Sequence, residues 1–222
     1  MSKHLQHQIE ALKQKILLVG TLVEDAIAKA ISALVNRNGD LARSIIERDC
    51  DIDRMEVDVE EEVLKILALY QPVAADLRFV VAVLKINNDL ERMGDLAKNV
   101  AKRVVYLSNA ERYDLPVDFR GMATQAQSMV KLSLDALVNS DTTMAQRVRD
   151  SDDEVDAQRR TIERQIESQI AAHPDRSASL LRLASVARHL ERIADMATNI
   201  AEDVIYMVEG EIVRHNRSNE PF

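Results

Sequence analysis

The sequence predicts an all-α protein made of two tandem, similar three-helix bundles, six long antiparallel helices that arose by internal duplication. The strongest observation is a repeat, because residues 89–101 recur as 189–201 with seven identical residues at an offset of 100. Composition agrees: five Gly, four Pro and 3% aromatic residues are too few for the many tight turns of an all-β fold. With 46% hydrophobic residues, the chain has enough apolar side chains for a packed core.

Both copies of the repeat carry an apolar stripe at alternating steps of three and four residues. Such spacing places the stripe on one side of a helix, where it packs against neighbouring helices. The stripe comprises Val83, Ile86, Leu90, Met93, Ala97, Val100, Val104 and Leu107 in the first copy, and Leu183, Val186, Leu190, Ile193, Ala197, Ile200, Val204 and Met207 in the second.

The first half, residues 1–110, is predicted to contain three helices. Apolar periodicity predicts the first over 3–36, and Asp40 is expected to cap the second, over about 40–69. Pro72 marks the next turn, and the third helix follows over about 75–108. The segment from Ser108 to Pro116 is the expected linker between the halves.

The second half, residues 111–215, repeats this order and is followed by a loose tail, 216–222. A helix is expected from near Pro116 to about 139, another between the turns at 139–141 and 173–175, and a last helix over about 176–209, ending near Gly210. The repeat offset falls from 103 to 100 at the turn at 173–175, where a length change is tolerated. Short turns make neighbouring helices antiparallel, so the second and third helices of each half are expected to be adjacent.

Charge and motifs exclude several classes of function. A net charge of -8 weighs against a nucleic-acid-binding protein. The amino terminus lacks a signal-peptide core and no apolar run reaches the length of a membrane span, so we expect a cytoplasmic protein without membrane insertion. The single cysteine, Cys50, permits no intrachain disulfide. Gly-rich phosphate loops, GxSxG and HExxH are all missing from the sequence, so no enzymatic activity is predicted.

Two acidic columns run beside the apolar stripe in each half, one on the second helix and one on the third. Their oxygen ligands suit hard or borderline cations, among them Mg²⁺, Ca²⁺, Mn²⁺, iron or Zn²⁺. Acidic residues beside an apolar stripe are otherwise typical of a solvated helix face, and both interpretations stay open. The candidate ligands are Asp49, Asp53, Glu91, Asp95 and Asn99 in the first half, and Asp152, Asp156, Glu191, Asp195 and Asn199 in the second.

Arginines accompany the acidic columns in both halves. Arg92 and Arg192 each follow a column glutamate directly, and they either pair with surface carboxylates or dock a protein partner or an anion. His189 stands where the first half has Asp89, so it is not a repeated ligand.

Three segments together resemble the PhoU family of phosphate-specific transport accessory and regulatory proteins. They are the two copies of Leu-Glu-Arg-x-x-Asp-x-x-x-Asn-Ile/Val-Ala, the segment 71–78, Gln-Pro-Val-Ala-Ala-Asp-Leu-Arg, and the Asp49…Asp53 segment upstream of it. The resemblance covers residues 4–215 and implies two three-helix bundles with E(D)xxxD motifs, at which some relatives bind multinuclear metal clusters. Those motifs correspond here to Asp49/Asp53, Glu91/Asp95, Asp152/Asp156 and Glu191/Asp195.

The resemblance also implies a role and partners. Such proteins damp phosphate uptake and phosphate-starvation signalling when phosphate is plentiful, and they contact the transporter's ATPase subunit and the phosphate-responsive histidine kinase at the inner face of the membrane. A homodimer is expected from the same resemblance. Two alternatives come from the residues alone: an oxygen-ligated metal-binding or metal-storage protein, and a purely structural helical interaction module.

Overall fold

The computed structural model describes residues 3–111, 119–211 and 213, and these residues form α-helices without any β-strand. This confirms the predicted all-α class and the repeated order of three helices. A short 3-10 turn, Pro174–Arg176, precedes the last helix. The six helices are α1 (Lys3–Asn36), α2 (Gly39–Tyr70), α3 (Ala74–Ser108), α4 (Phe119–Asn139), α5 (Thr142–Ala172) and α6 (Ser177–Glu209).

Side-chain caps begin the middle helix of each half. The Asn38 Oδ1 atom accepts a hydrogen bond from the Leu41 amide at 3.0 Å. The expectation that Asp40 caps α2 is therefore wrong, because the helix already begins at Gly39 and a capping side chain must precede it. Asp141, which the repeat aligns with Asn38, caps α5 in the same way.

The carboxyl ends of the helices also follow local rules. Helix α6 ends at Gly210, whose φ of +78° is the left-handed conformation that glycine adopts without a steric penalty. The expected helix start near Pro116, most of the linker and the tail at 216–222 lie outside the described residues.

The apolar stripes of α3 and α6 form the centre of the molecule. Leu90, Val104, Leu190 and Val204 are all fully buried. Helix α3 packs against α1 and α2, α6 packs against α4 and α5, and α3 and α6 also pack on each other. The second and third helices of each half are neighbours, as predicted, and α1–α4 contacts extend the interface between the bundles.

Within the described ranges, none of the helices combines the length and the apolar character that crossing a bilayer requires.

Candidate metal-binding sites and the inter-bundle cleft

The first acidic patch lies between α2 and α3 and consists of Asp49, Asp53, Glu91 and Asp95. Asp49 is the most buried of the four, with 7% of its surface exposed. Burial and the neighbouring charges of Asp95 and Asp53 raise the pKa of Glu91. Burial and the charge of Asp49 likewise raise the pKa of Asp53. The columns predicted on adjacent helices thus interact electrostatically across the helix pair.

A lysine neutralises half of this patch. The Lys98 Nζ atom lies 2.5 Å from Asp49 Oδ2 and 3.1 Å from Asp95 Oδ1. The hydrogen bond to Asp49 is the main reason that the pKa of Lys98 is raised. Sequence reasoning missed this residue as part of the site, although its position three residues after Asp95 is the spacing of a helical ion pair.

The second acidic patch lies between α5 and α6 and consists of Asp152, Asp156, Glu191 and Asp195. The Thr198 hydroxyl, at the repeat position of Lys98, donates to Asp152 Oδ1 at 3.2 Å. Burial, then the charges of Glu191, Asp152 and Asp156, raise the pKa of Asp195 to about 6. The Asp195 side chain nevertheless reaches solvent, so water screens part of this repulsion.

The second patch has two cations of its own, both on α5. Arg160 Nη1 lies 3.8 Å from Asp156 Oδ2. The Arg159 guanidinium lies 3.2 Å from Glu191 Oε1 through Nε and 2.5 Å from Glu163 Oε2 through Nη1. Aligning the halves at an offset of 103 places Glu56 opposite Arg159. This reversal of charge between the halves could have identified Arg159 as part of the second patch, but Arg159 was not among the residues predicted from the sequence.

A cleft of about 960 Å³ separates the two bundles beside the second patch. It brings Asn199 together with Asp152 and Asp195, whereas Asn99 simply follows Asp95 by one turn on α3. The cleft therefore joins the second patch to residues of the first half. Its lining residues are Leu84, Lys85, Asn88, Asp89, Arg92, Asp152, Asp195, Thr198, Asn199 and Glu202.

The donor chemistry of both patches suits hard cations, but the side chains are not arranged as a finished site. Among the described residues, no group of three or more Asp, Glu, His or Cys side chains is placed so that it could hold a metal ion. Neighbouring carboxylates in each patch repel one another. Because their oxygens do not converge on one point, the side chains would have to rotate to bind a cation. Both patches also contain positive charge, from Lys98 in the first and from Arg159 and Arg160 in the second. Asp195 of the second patch has no ion pair within 4.0 Å among the described residues, and its pKa is raised to about 6.

Comparison with known proteins identifies the family. The PhoU domain matches residues 16–104 and again residues 119–204, one match in each bundle. The chain belongs to the PhoU family. The two matched ranges coincide with the two halves of the duplication, which confirms the resemblance drawn from the repeated motif.

Relatives and solved structures of this PhoU-family protein agree over nearly the whole chain. A phosphate-specific transport system accessory protein PhoU homolog of Aquifex aeolicus is 39% identical over 96% of this chain and 96% of its own length. The corresponding protein of Pseudomonas aeruginosa is 37% identical over 97% of this chain and 89% of its own. The crystal structure of PhoU from Pseudomonas aeruginosa superposes with a TM-score of 0.89 at 36% identity, covering 93% of this chain and 99% of that one. The phosphate transport system regulatory protein PhoU from Streptococcus pneumoniae gives 0.84 at 28% identity, over 94% and 99%.

Proposed function

We propose that this PhoU-family protein is an accessory regulator of a phosphate-specific transport system. It restrains phosphate uptake and phosphate-starvation signalling when phosphate is plentiful. The observation that carries the proposal is the full-length similarity, through both bundles, to proteins named as accessory proteins of that transport system. The chain acts as a non-enzymatic adaptor that docks on the transporter's ATPase subunit and on the phosphate-responsive histidine kinase.

The α2–α3 turn supplies a docking surface for the ATPase subunit. Three large apolar side chains are exposed there: Leu69 at 67%, Val73 at 72% and Leu77 at 39%. Clustered exposed apolar residues are typical of a protein interaction site. The corresponding turn of the second half, 173–176, is His-Pro-Asp-Arg and is polar. Because only one of the two equivalent turns exposes large apolar side chains, the difference supports a partner-binding role for the α2–α3 turn.

Deletion of the gene tests the regulatory role. In phosphate-rich medium, the deletion strain is expected to take up radiolabelled phosphate faster and to express a phosphate-starvation reporter, and re-expression of the protein is expected to reverse both. Unchanged uptake and unchanged reporter expression in the deletion strain would contradict the proposal.

Substitutions in the exposed turn test the docking surface. A Leu69→Gln/Val73→Thr/Leu77→Gln variant is expected to remain helical, because these side chains contribute little to the core, yet to lose co-purification with the ATPase subunit. Leu18→Gln is the matched control, since Leu18 is 50% exposed on α1, away from the turn. Equal loss in both variants, or in neither, would argue against this surface.

In the same proposal, the second acidic patch binds a divalent cation. Asp152, Asp156, Glu191 and Asp195 would hold it, and the cation would neutralise charges that now repel one another across α5 and α6. The raised pKa of Asp195 supports this, because the charges of Glu191, Asp152 and Asp156 add to the effect of burial at that position.

Elemental analysis tests the metal assignment. Protein purified without chelator or affinity metal is compared with a variant in which Glu91, Asp95, Glu191 and Asp195 are all Ala, with circular dichroism as the check on helix content. Stoichiometric metal in the parent alone would support the assignment. The absence of metal from both proteins, even after incubation with Mg²⁺, Mn²⁺, Fe²⁺ and Zn²⁺, would leave the patches as solvated faces.

A further inference from the structure

Helices α3 and α6 contact each other through the same pair of repeat positions at both ends of their interface, but the residues at the two ends differ in charge. At one end, Lys85 Nζ lies 3.3 Å from Asp203 Oδ1. At the other, Arg103 Nε donates to Ser185 Oγ at 3.5 Å. At the repeat offset of 100, Lys85 corresponds to Ser185 and Asp203 to Arg103, so the two contacts are equivalent positions of the duplication. An approximate two-fold rotation axis therefore relates the two antiparallel helices.

Both contacts face the same side of the interface. The 18 residues from Lys85 to Arg103 correspond to about five turns of α3 and ~27 Å. The two ends therefore form separate surfaces on one face of the molecule. We call them the acidic end, which carries the cleft, and the basic end, formed by Lys98, Lys102, Arg103, Ser185, His189 and Arg192.

Four repeat positions on α3 and α6 make the basic end the more positive, whereas Lys85/Ser185 has the opposite sign. Asp89 of the acidic end corresponds to His189, and Thr198 corresponds to Lys98. Glu202 and Asp203 of the acidic end correspond to Lys102 and Arg103. Because Lys98 is engaged by Asp49 and Asp95, the positive charge left for a ligand belongs to the remaining basic residues.

His189 lies at the centre of the basic end. Its Nε2 atom is 3.2 Å from Ser185 Oγ, and its Nδ1 atom is buried without a hydrogen-bond partner. Burial, and then the charges of Arg103, Arg192 and Arg188, lower its pKa to about 4, so the imidazole is neutral at pH 7. Arg188 pairs with Glu163 at 3.5 Å. In the part of the chain that the structure describes, Arg103 and Arg192 have no carboxylate within 4.0 Å.

We propose that Arg103, Ser185, His189 and Arg192 form a binding site for inorganic phosphate. Guanidinium groups present several N–H donors in a fixed fork that matches the oxygens of phosphate, and the hydroxyl and imidazole add short-range polar partners. A phosphate anion there also offsets the positive charges that Arg103 and Arg192 place around His189. The inference goes beyond the proposed function, because this site would bind phosphate whether or not the protein regulates uptake.

Phosphate titration of the full chain tests the site directly. Protein labelled with ¹³C at histidine is titrated with inorganic phosphate in a chloride buffer, and the His189 signal is assigned with a His189→Asn variant. The expected result is saturable binding of one phosphate per chain that moves the His189 signal. Chloride at equal ionic strength is expected not to reproduce the shift.

Variants with matched controls test the residues. Arg103→Gln/Arg192→Gln is expected to weaken phosphate binding about tenfold or more, because charge-assisted hydrogen bonds are lost. Arg92→Gln, at the equivalent position of the acidic end, is expected to bind as the parent does.

Three results would overturn the proposal: no saturable binding, an unmoved His189 signal in the unaltered protein, or undiminished binding by the double variant. The titration of the unaltered protein decides even if the double variant does not fold.

Discussion

The two acidic patches occupy equivalent positions in the duplicated bundles, yet each is neutralised by a different helix. In the first patch the cation is Lys98 of α3, which bridges Asp49 and Asp95. In the second they are Arg159 and Arg160 of α5, which pair with Glu191 and Asp156, and Asp195 has no ion pair within 4.0 Å in the described residues. The duplication thus preserved the backbone and the carboxylates while the positive charges moved, so the two patches differ in electrostatics.

The cores of the two halves differ in a compensated way. A Cβ atom added to Gly94 would lie 3.0 Å from Ile52 Cδ1, so α2 and α3 approach closely there. At the equivalent positions the second half has Ala194 and Val155. One methyl group gained on the third helix is matched by one lost from the second, because a packed interior conserves volume. At this contact between the second and third helices, the two interior residues therefore changed as a pair.

The largest effect is expected from moving the cation of the first patch. Lys98→Thr, which copies the second half, replaces the ion pair of the buried Asp49 carboxylate by at most a neutral hydrogen bond, and we expect the free energy of unfolding at pH 7 to fall by about 1–3 kcal/mol. Urea denaturation measures it. Lys102→Thr, one turn along and exposed, is the control and is expected to change stability by less than about 0.5 kcal/mol. A similar loss in both variants would show that Lys98 has no special role.

The same substitution is expected to reduce the difference in metal affinity between the two patches. With Lys98→Thr, the first patch loses its internal positive charge, so its affinity for Mn²⁺ is expected to rise about tenfold, or about 1.4 kcal/mol. Thr198→Lys is expected to lower the affinity of the second patch correspondingly. Isothermal titration calorimetry of the two variants and the parent checks both changes. Affinities that do not respond to either substitution would place any metal elsewhere.

A double-mutant cycle tests the compensated core. Ile52→Val/Gly94→Ala converts the first half to the residues of the second, and we expect it to be more stable than the sum of the single variants by about 0.5–1 kcal/mol. The reason is that the shorter valine removes the Cδ1 atom that the added methyl group would crowd. Chemical denaturation of the parent and the three variants gives the coupling energy. An additive cycle would mean that Ile52 moves aside freely.

The smallest effect is expected at Asp195, and its sign depends on pH. The folded-state pKa of about 6 exceeds the ordinary value of 3.8, so the stability contributed by the protonated form is lost as pH rises through about 6. Asp195→Asn is therefore expected to stabilise the protein at pH 7.5, by less than about 1 kcal/mol because solvent screens this exposed side chain, and to have little effect at pH 4. Asp95→Asn, which weakens a contact with Lys98, is the opposite control and is expected to destabilise the protein at pH 7.5. Thermal unfolding at both pH values checks each sign.

Much of the fold was predictable because helices are specified by local periodicity. The apolar stripes through Leu90 and Leu190 are buried as predicted, and the helix ends agree within about two residues wherever the structure describes them. The exception is the cap of α2, where two polar residues stand close together and Asn38 rather than Asp40 precedes the helix. The carboxylates were found for the same reason as the stripes, since their spacing of four residues places them on one helix face.

By itself, the sequence determined the six helices, their duplication and the faces that each helix buries, because those properties follow from residues a few positions apart. Only the tertiary structure decided that Lys98 and Arg159 neutralise different ends of equivalent patches, that α3 and α6 join the bundles, and that Arg103 meets Ser185 beside His189. These contacts join residues distant in the chain. Each such contact contributes little to stability, about 0–1 kcal/mol for an exposed ion pair. A contribution of that size imposes no recognisable pattern on the sequence.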